Sequence, residues 1–569
     1  MKVGKKSPAK DGQASGTKNH ADNKGKAESE VSNITEFLSI HAKANPKKKA
    51  YVCYKKGGGQ TSATYGELEA EVNRLASGLA AIGIKKGTKT IFMVRPSPEF
   101  FSLSFALLRL GAIPVMIDPG MGIKRMVKSL SEIDAEAFVG IPLAHMMRVM
   151  YPRSFKGVKI KVVVGSKLFW GAKTLSDLRN LGSKTFRPAV TKPGEMAAIF
   201  FTTGSTGPPK GVVYENGMFY AQIGYLNKKF GYQAQSVELA TFPLFSLFDV
   251  ILGMTSVVPD MDPTKPAQAD PKKLIDAIQA NKCTNMYGSP ALLENLARYA
   301  IENNITLKTL KIIITAGAPI RPSLLQSLHK VLPPDAMVHT PYGATEVLPV
   351  SDIDSRQILN ETRAVTESGG GMCVGWPMEG ITVKIIAFTD DPLDNIGDAR
   401  FLPVGEIGEI AVKGPNVTKT YYRKPEHTAR AKMKDPDGSI WHRMGDAGYQ
   451  DAKGRLWFCG RKAHRVRTKK GDLFTIPCEA LFNNHPKVRR SALVGVGNPG
   501  SQTPVIIIEL KDPRTDKQAL TRELLRLAKR SPLTKDIKTV LYHPKFPVDI
   551  RHNAKIFREK LTEWAQGVG

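Results

Sequence analysis

Cysteine is scarce in this chain and scattered where it occurs. The five thiols among 569 residues (Cys53, Cys283, Cys373, Cys459 and Cys478) form no C-x-x-C pair and no metal-ligand spacing. That excludes a disulfide framework and a structural zinc site, and reduced thiols in the cytoplasm are expected. Long apolar runs are also missing, since no uninterrupted stretch reaches the roughly 18 residues that a membrane-spanning helix needs. The first thirty residues are rich in lysine but hold no apolar segment, so they do not read as a secretory signal. Acidic side chains are outnumbered, 52 against 82 basic ones, for a formal net charge of +30. Such a surplus reads first as a solvated surface, and otherwise suits anionic partners or a membrane surface. The basic residues run along the whole length beside no nucleic-acid-binding signature, so no nucleic-acid partner is expected, and peripheral membrane contact stays open.

What remains is an ordinary globular composition, 42% hydrophobic and 24% charged, in a chain long enough for several domains. Residues 1–32 are polar and Gly/Ser/Lys-rich and cannot bury enough surface to offset their ordering entropy, so a disordered basic tail is expected. From "NITEFLSIHAKANP" onward, buried-strand patterns alternate with helical ones. "KTIFMVRPS", "AIPVMIDPG", "KCTNMYGSP", "LKIIITAGAPI" and "AMVHTPYGATE" read as strands, separated by helices such as "PEFFSLSFALLRLG" and "RPSLLQSLHKVLP". Alternation of this kind implies an α/β fold with largely parallel sheets wrapped by helices. After about residue 380, short strands and Gly-bounded turns ("ITVKIIAF", "GEIGEIAVKG") predict an antiparallel subdomain. A small α+β unit follows from "GRKAHRV". The expected division is a large domain over 33–460 and a small mobile one over 461–569.

One loop asks for a chemical reason. "FTTGSTGPPKG" (201–211) follows the apolar "MAAIF" and packs glycines, hydroxyls and one lysine into eleven positions. Glycines let backbone N–H groups turn toward an anion, and hydroxyls with Lys210 complete a phosphate cradle. The spacing is not that of a Walker A loop, G-x-x-x-x-G-K-[ST]. Taken singly, other candidates are ambiguous. Tyr342 is equally a core aromatic, Asp446 a turn residue and Lys555 a solvated helix lysine.

Read together, these segments resemble the acyl-adenylate-forming superfamily of acyl-CoA synthetases, peptide-synthetase adenylation domains and luciferases. The motifs stand in that family's order over roughly residues 33 to 565. The resemblance implies that ATP is bound by Thr202, Thr203, Gly204, Ser205, Thr206, Gly207 and Lys210 of the loop. The adenine edge would meet Gly317, Ala318 and Pro319 of "TAGAP". In "YGATE" the ring of Tyr342, with Gly343 and Ala344, would face adenine, Thr345 would touch phosphate and Glu346 would hold Mg²⁺. Asp446 of "MGDAGY" would bind the ribose, Arg461 would stand just before the hinge, and Lys555 of "HNAKIFREKL" would reach the carboxylate during adenylation. Catalysis is thereby assigned to Lys555, Thr345, Glu346 and Lys210.

Two departures narrow the family. "FPLFSLFDV" lacks the histidine that most acyl-CoA synthetases carry there, and "GRKAHRVRTKKG" places Ala463 and His464 at the hinge, so CoA is not expected to be required. Together with "IPCEALFNNHP" and "RHNAKIFREKL", these stretches are similar to the β-lactone synthetases of long-chain olefin biosynthesis. The resemblance implies adenylation of a 2-alkyl-3-hydroxy fatty acid, then ring closure by its own 3-hydroxyl. It also implies assembly with the thiolase, reductase and decarboxylase of that pathway. A fatty acid–CoA ligase is the alternative, and a non-enzymatic acyl or nucleic-acid binder the remote one. Asp249, within "FPLFSLFDV", reads either as a helix cap or as a polar group meeting the 3-hydroxyl.

Overall fold

The computed structural model describes residues 32–168, 171–202, 209–549 and 555–568. Two seven-stranded sheets carry the alternating pattern. The first runs Lys173–Thr174, Ile160–Val163, Ala137–Gly140, Lys89–Met93, Ile113–Met116, Met196–Phe201 and Gly211–Glu215, and all its neighbours are parallel except the last pair. The second runs Met337–His339, Ile312–Ile314, Asn285–Tyr287, Val237–Ala240, Thr255–Val258, Lys49–Tyr54 and Gln60–Thr64, again parallel until its final antiparallel pair. Short β-branched and aromatic runs such as "IKVV" and "III" suit strands covered on both faces. Helices between them begin where the sequence supplies caps: Ser97 accepts from Phe100, Ser289 from Leu292, and Thr64 forms a capping box with Glu67.

An eight-stranded sheet of antiparallel pairs follows, from Tyr342–Ala344 to Leu456–Arg461. It corrects one expectation, because "AMVHTPYGATE" is not a single strand. Met337–His339 closes the second parallel sheet, whereas Tyr342–Ala344 opens the antiparallel one. Pro341 stands between them and has no N–H to continue a ladder. The break delivers Tyr342 to the junction of the two sheets.

The last hundred residues build separate cores. A hairpin (Val466–Thr468 with Gly471–Leu473) and a three-stranded sheet (Val488–Val496, Thr503–Leu510, Thr539–Tyr542) are covered by helices Thr475–Asn483, Lys517–Lys529 and Arg558–Val568. Contacts to the larger part are made near the chain crossing and by Asn484, which donates to the Glu367 carbonyl at 2.9 Å. Arg465 lies 4.4 Å from the Phe388 ring centroid, and Lys462 pairs with Glu409 at 3.3 Å.

Candidate active site

The strand Met196–Phe201 turns back into Gly211–Glu215 through the glycine-hydroxyl loop. Its neck is closed by the Thr202 N–H donating to the Lys210 carbonyl at 3.0 Å, while the Lys210 N–H donates to the Thr202 hydroxyl at 3.3 Å. Thr203, Gly204, Ser205, Thr206 and Gly207 lie outside the described residues. Lys210, leaving the neck, holds its ammonium 5.0 Å from the centroid of the Tyr421 ring. That ring is buried, and its hydroxyl donates to Glu346 Oε1 at 2.7 Å.

Glu346 is the hub. Its carbonyl accepts from the Thr418 N–H at 2.9 Å and the Thr418 hydroxyl at 3.0 Å, which ties the "YGATE" turn to the chain before Tyr421. The Tyr214 hydroxyl fixes the preceding residue by donating to the Thr345 carbonyl at 2.7 Å. Gly343 is required here, since a Cβ at that position would meet the Val347 carbonyl at 2.7 Å. Lys432, buried behind Tyr421, donates to the Thr418 carbonyl and, at 3.1 Å, to its hydroxyl. Burial pushes the Lys432 amine down to about 7, against the attraction of Glu346. Burial also lowers Lys210, and Glu346 again opposes the shift.

Beside this hub, the Tyr342 hydroxyl donates to Asp446 Oδ2 at 2.6 Å, and Asp446 Oδ1 pairs with Arg461 at 2.9 Å. Asp446 and Arg461 are direct cross-strand partners, which explains their approach. Burial raises Asp446, opposed by Arg461 and the Tyr342 hydroxyl, and Asp446 in turn raises Arg461. Glu346 acts electrostatically on Lys210, Lys432, Arg461 and Asp446, so three cations and two acids share one field.

The structure therefore brings together Thr202, Lys210, Tyr342, Thr345, Glu346, Asp446 and Arg461. Gly317, Ala318 and Pro319 form the loop after Ile312–Ile314, where Gly317 adopts the left-handed φ of 93°. Thr315 of that loop bonds the His339 carbonyl, three residues before Tyr342. Lys555 belongs to the C-terminal sheet region, where its N–H donates to Asp549 Oδ1 at 2.9 Å and its carbonyl accepts from the Asp549 N–H at 3.0 Å. The cluster around Glu346 is built by the larger part of the chain. Tyr214, Thr418, Tyr421 and Lys432 were not singled out from sequence. The role of Tyr421 depends on a partner 75 residues away. A cavity of about 240 Å³ lies elsewhere, at the seam lined by Gly369, Tyr449, Phe474 and Leu533.

Asp249 fits neither earlier reading. It sits inside helix Pro243–Ile251, whose N-cap is Phe242, and it is fully buried. Its Oδ2 accepts from Ser256 at 2.6 Å, while Glu238 Oε1 accepts from Tyr232 at 3.1 Å. The two carboxyls also face each other, where a proton retained on Glu238 would be donated to Asp249. Burial raises both carboxyls, as expected of two acids sharing one dry site. The outer side of this helix is aromatic, with Phe245 stacked on Tyr287 at a centroid distance of 4.3 Å.

A half-buried Tyr342–Asp446–Arg461 chain beside Glu346, Lys210 and Lys432 on an α/β frame offers acceptors and cations suited to a nucleotide. Comparison agrees. The AMP-binding enzyme family pattern matches residues 38–422. The olefin β-lactone synthetase of Stenotrophomonas maltophilia is 47% identical over 545 residues, covering 94% of this chain and 98% of that one. The corresponding protein of Xanthomonas campestris is 47% identical over 510 residues, covering 88% and 90%. Among solved structures, the anthranilate–CoA ligase AuaEII with anthranoyl-AMP shares the fold at a TM-score of 0.77 and 19% identity, covering 95% of this chain and 99% of that one. The chain belongs to the AMP-binding enzyme family and is an AMP-forming ligase.

Proposed function

We propose that the protein uses ATP to adenylate a 2-alkyl-3-hydroxy fatty acid and then closes the acyl-adenylate to a β-lactone. The observation that carries the nucleotide half is the gathering of Lys210, Arg461 and the buried Lys432 around Glu346 and Asp446. The lactone half rests on the 47% identity to olefin β-lactone synthetases. In the first step a carboxylate oxygen bonds to the α-phosphorus as the bond to pyrophosphate breaks, and charge builds on the departing oxygens. Lys210, beside Glu346 and Tyr421, would neutralise the departing pyrophosphate. Lys555 would carry charge between carboxylate and α-phosphate, arriving with a mobile small domain over 461–569 that rotates against the large domain over 33–460. Tyr342 and Asp446 would hold adenine and ribose, the latter through lone pairs left over from Tyr342 and Arg461.

Among the described residues no three His, Cys, Asp or Glu side chains gather into a metal cage. Glu346 alone among cations fits Mg²⁺ only if phosphate oxygens complete its shell, the usual arrangement for this ion. Bound there, the ion would neutralise phosphate charge.

In the second step the 3-hydroxyl oxygen attacks the acyl carbon, the carbon–oxygen bond to AMP breaks, and the hydroxyl proton passes to the released phosphate. A nucleophile on the same molecule gains effective molarity, which offsets ring strain, and CoA is not needed. No helix among the described residues is long and apolar enough to cross a membrane. The protein would work in the cytoplasm beside the thiolase, reductase and decarboxylase of the same route. The test is mass spectrometry of the purified protein with ATP, Mg²⁺ and a 3-hydroxy fatty acid, with and without CoA. Lactone and AMP without CoA are expected; product only with CoA would replace this reading by that of a fatty acid–CoA ligase.

A further inference from the structure

Helix Pro142–Met150 (PLAHMMRVM) crosses from Ala137–Gly140 to Ile160–Val163 in the first sheet. It buries Ala144, His145 and Met147 against the sheet and leaves Leu143, Met146, Val149 and Met150 outward, at 57%, 44%, 47% and 64% exposure. Spacings of three, three and one place these four on one arc of about 120°, opposite the buried positions. Single exposed apolar side chains are common and need no explanation. Here the described residues include fourteen large exposed apolar side chains, and four of them fall on this one nine-residue helix. No polar residue interrupts the outward arc; Arg148 and His145 stand on the other side of the helix.

The neighbouring surface is basic. Turn Pro152–Phe155 packs against both this helix and helix Ile123–Ser131, and the three segments expose Lys124, Arg125, Lys128, Arg153 and, just beyond, Lys156. None of these five forms an ion pair with a described residue, whereas the nearby acids Glu132 and Asp134 are engaged by Lys424 and Arg423. Between residues 123 and 168 there are nine lysines and arginines against three acids.

We propose that this face docks the protein on an anionic membrane surface, with Leu143, Met146, Val149 and Met150 entering the headgroup–acyl boundary and the five unpaired cations meeting lipid phosphates. An interfacial helix needs this combination of an apolar stripe and flanking basic residues. Methionine, unbranched and polarisable, adapts to a disordered apolar medium. A protein partner would instead have to supply acids opposite each cation around an apolar contact. The proposal does not rest on the substrate reading, since docking is measured without ATP or fatty acid.

The test is co-sedimentation of the full chain with vesicles of phosphatidylcholine alone and of phosphatidylcholine with 30% phosphatidylglycerol. Binding to the anionic vesicles, weakened by 0.5 M salt and absent on neutral ones, is the expected result. Each cation is worth about fivefold in binding near such a surface. K124E/K128E should therefore weaken binding at least tenfold, and L143E/M146E by a similar factor. The milder M146Q/M150Q should weaken it measurably if the glutamate variant folds poorly, with pyrophosphate–ATP exchange unchanged as the control for folding. Equal binding by wild type and these variants would overturn the proposal, because attachment would then come from elsewhere in the chain. So would failure to bind anionic vesicles, or variants that instead split an oligomer in sizing experiments.

Discussion

Arg109 centres a polar cluster withdrawn from water and Glu346 a half-buried one, and the two are closed differently. Arg109 is 0% exposed and donates to both Glu69 oxygens at 2.8 Å, to the Thr35 carbonyl at 3.2 Å and to Ser39 at 3.1 Å. One cation meets one acid, and hydroxyl, carbonyl and amide groups take the remaining donors. Arg443 with Glu409 is closed in a similar way, its further donors ending on backbone carbonyls and the second cation on Glu409, Lys462, meeting Asp390 in turn. Around Glu346 the count does not close, because Lys210, Lys432 and Arg461 face Glu346 and Asp446, and Lys432 is held far below its ordinary basicity. Buried charge is therefore not in itself a sign of function. A closed pair holds the fold together, while an unbalanced cluster keeps affinity for an anion that arrives later.

Several substitutions would break or sharpen that contrast. Lys555→Ala is expected to abolish adenylation, and Glu346→Gln to lower it about a hundredfold or more, both read by pyrophosphate–ATP exchange with little change in the thermal midpoint. Normal exchange by either variant would count against the assigned roles. Arg109→Ala should do the reverse, costing about 3–5 kcal/mol in a urea melt by stranding Glu69 while leaving exchange per folded molecule intact. A variant that lost exchange at full stability would erase the distinction between the clusters.

Lys432→Met is the intermediate case. The folded chain holds this amine at about 7 against an ordinary 10.5, so between those values the unfolded chain binds the extra proton. Stability contributed by Lys432 is thus present above 10.5 and lost as pH falls toward 7. The methionine variant should be more stable than the parent by about 2 kcal/mol at pH 7, with the gain shrinking toward pH 10. It should also bind ATP several-fold more weakly by calorimetry; unchanged affinity would remove Lys432 from the anion site.

The smallest effect is expected at Asp249. Both carboxyls of the Glu238–Asp249 pair are raised by burial, so their contribution is full below the ordinary carboxylate range and lost as pH rises above it. Asp249→Asn, which keeps a neutral polar group, should gain about 1 kcal/mol at pH 8 and nothing at pH 4. A thermal-melt series in pH would show it, and a uniform loss at all pH values would mean that Ser256 needs the carboxylate.

Much of this molecule could be read from its letters, for physical reasons that also explain the gaps. Parallel strands announce themselves because burial on both faces demands continuous apolar runs, as in Ile312–Ile314 and Lys89–Met93. Lys210 stands out through its glycine- and hydroxyl-rich loop, whereas Glu346 and Asp446 are marked only by the family resemblance of "YGATE" and "MGDAGY". Tyr421 and Lys432 carry no such local mark, since their meaning comes from long-range pairing with Glu346 and Thr418. Asp249 was misread because burial is a tertiary property, and a lone acid in an apolar run gives no hint of Glu238 beside it. The strand break at Pro341 was legible in principle, and the apolar periodicity around it concealed it.

The central claim is that the carboxylate is activated on phosphorus and then released by the substrate's own hydroxyl. Oxygen-18 labelling tests it most directly, using a 3-hydroxy fatty acid labelled in its carboxylate and a second sample labelled in its 3-hydroxyl. The account requires one carboxylate label to leave with AMP and the hydroxyl label to remain in the lactone ring. Unlabelled AMP beside a lactone, or loss of the hydroxyl label, would contradict it.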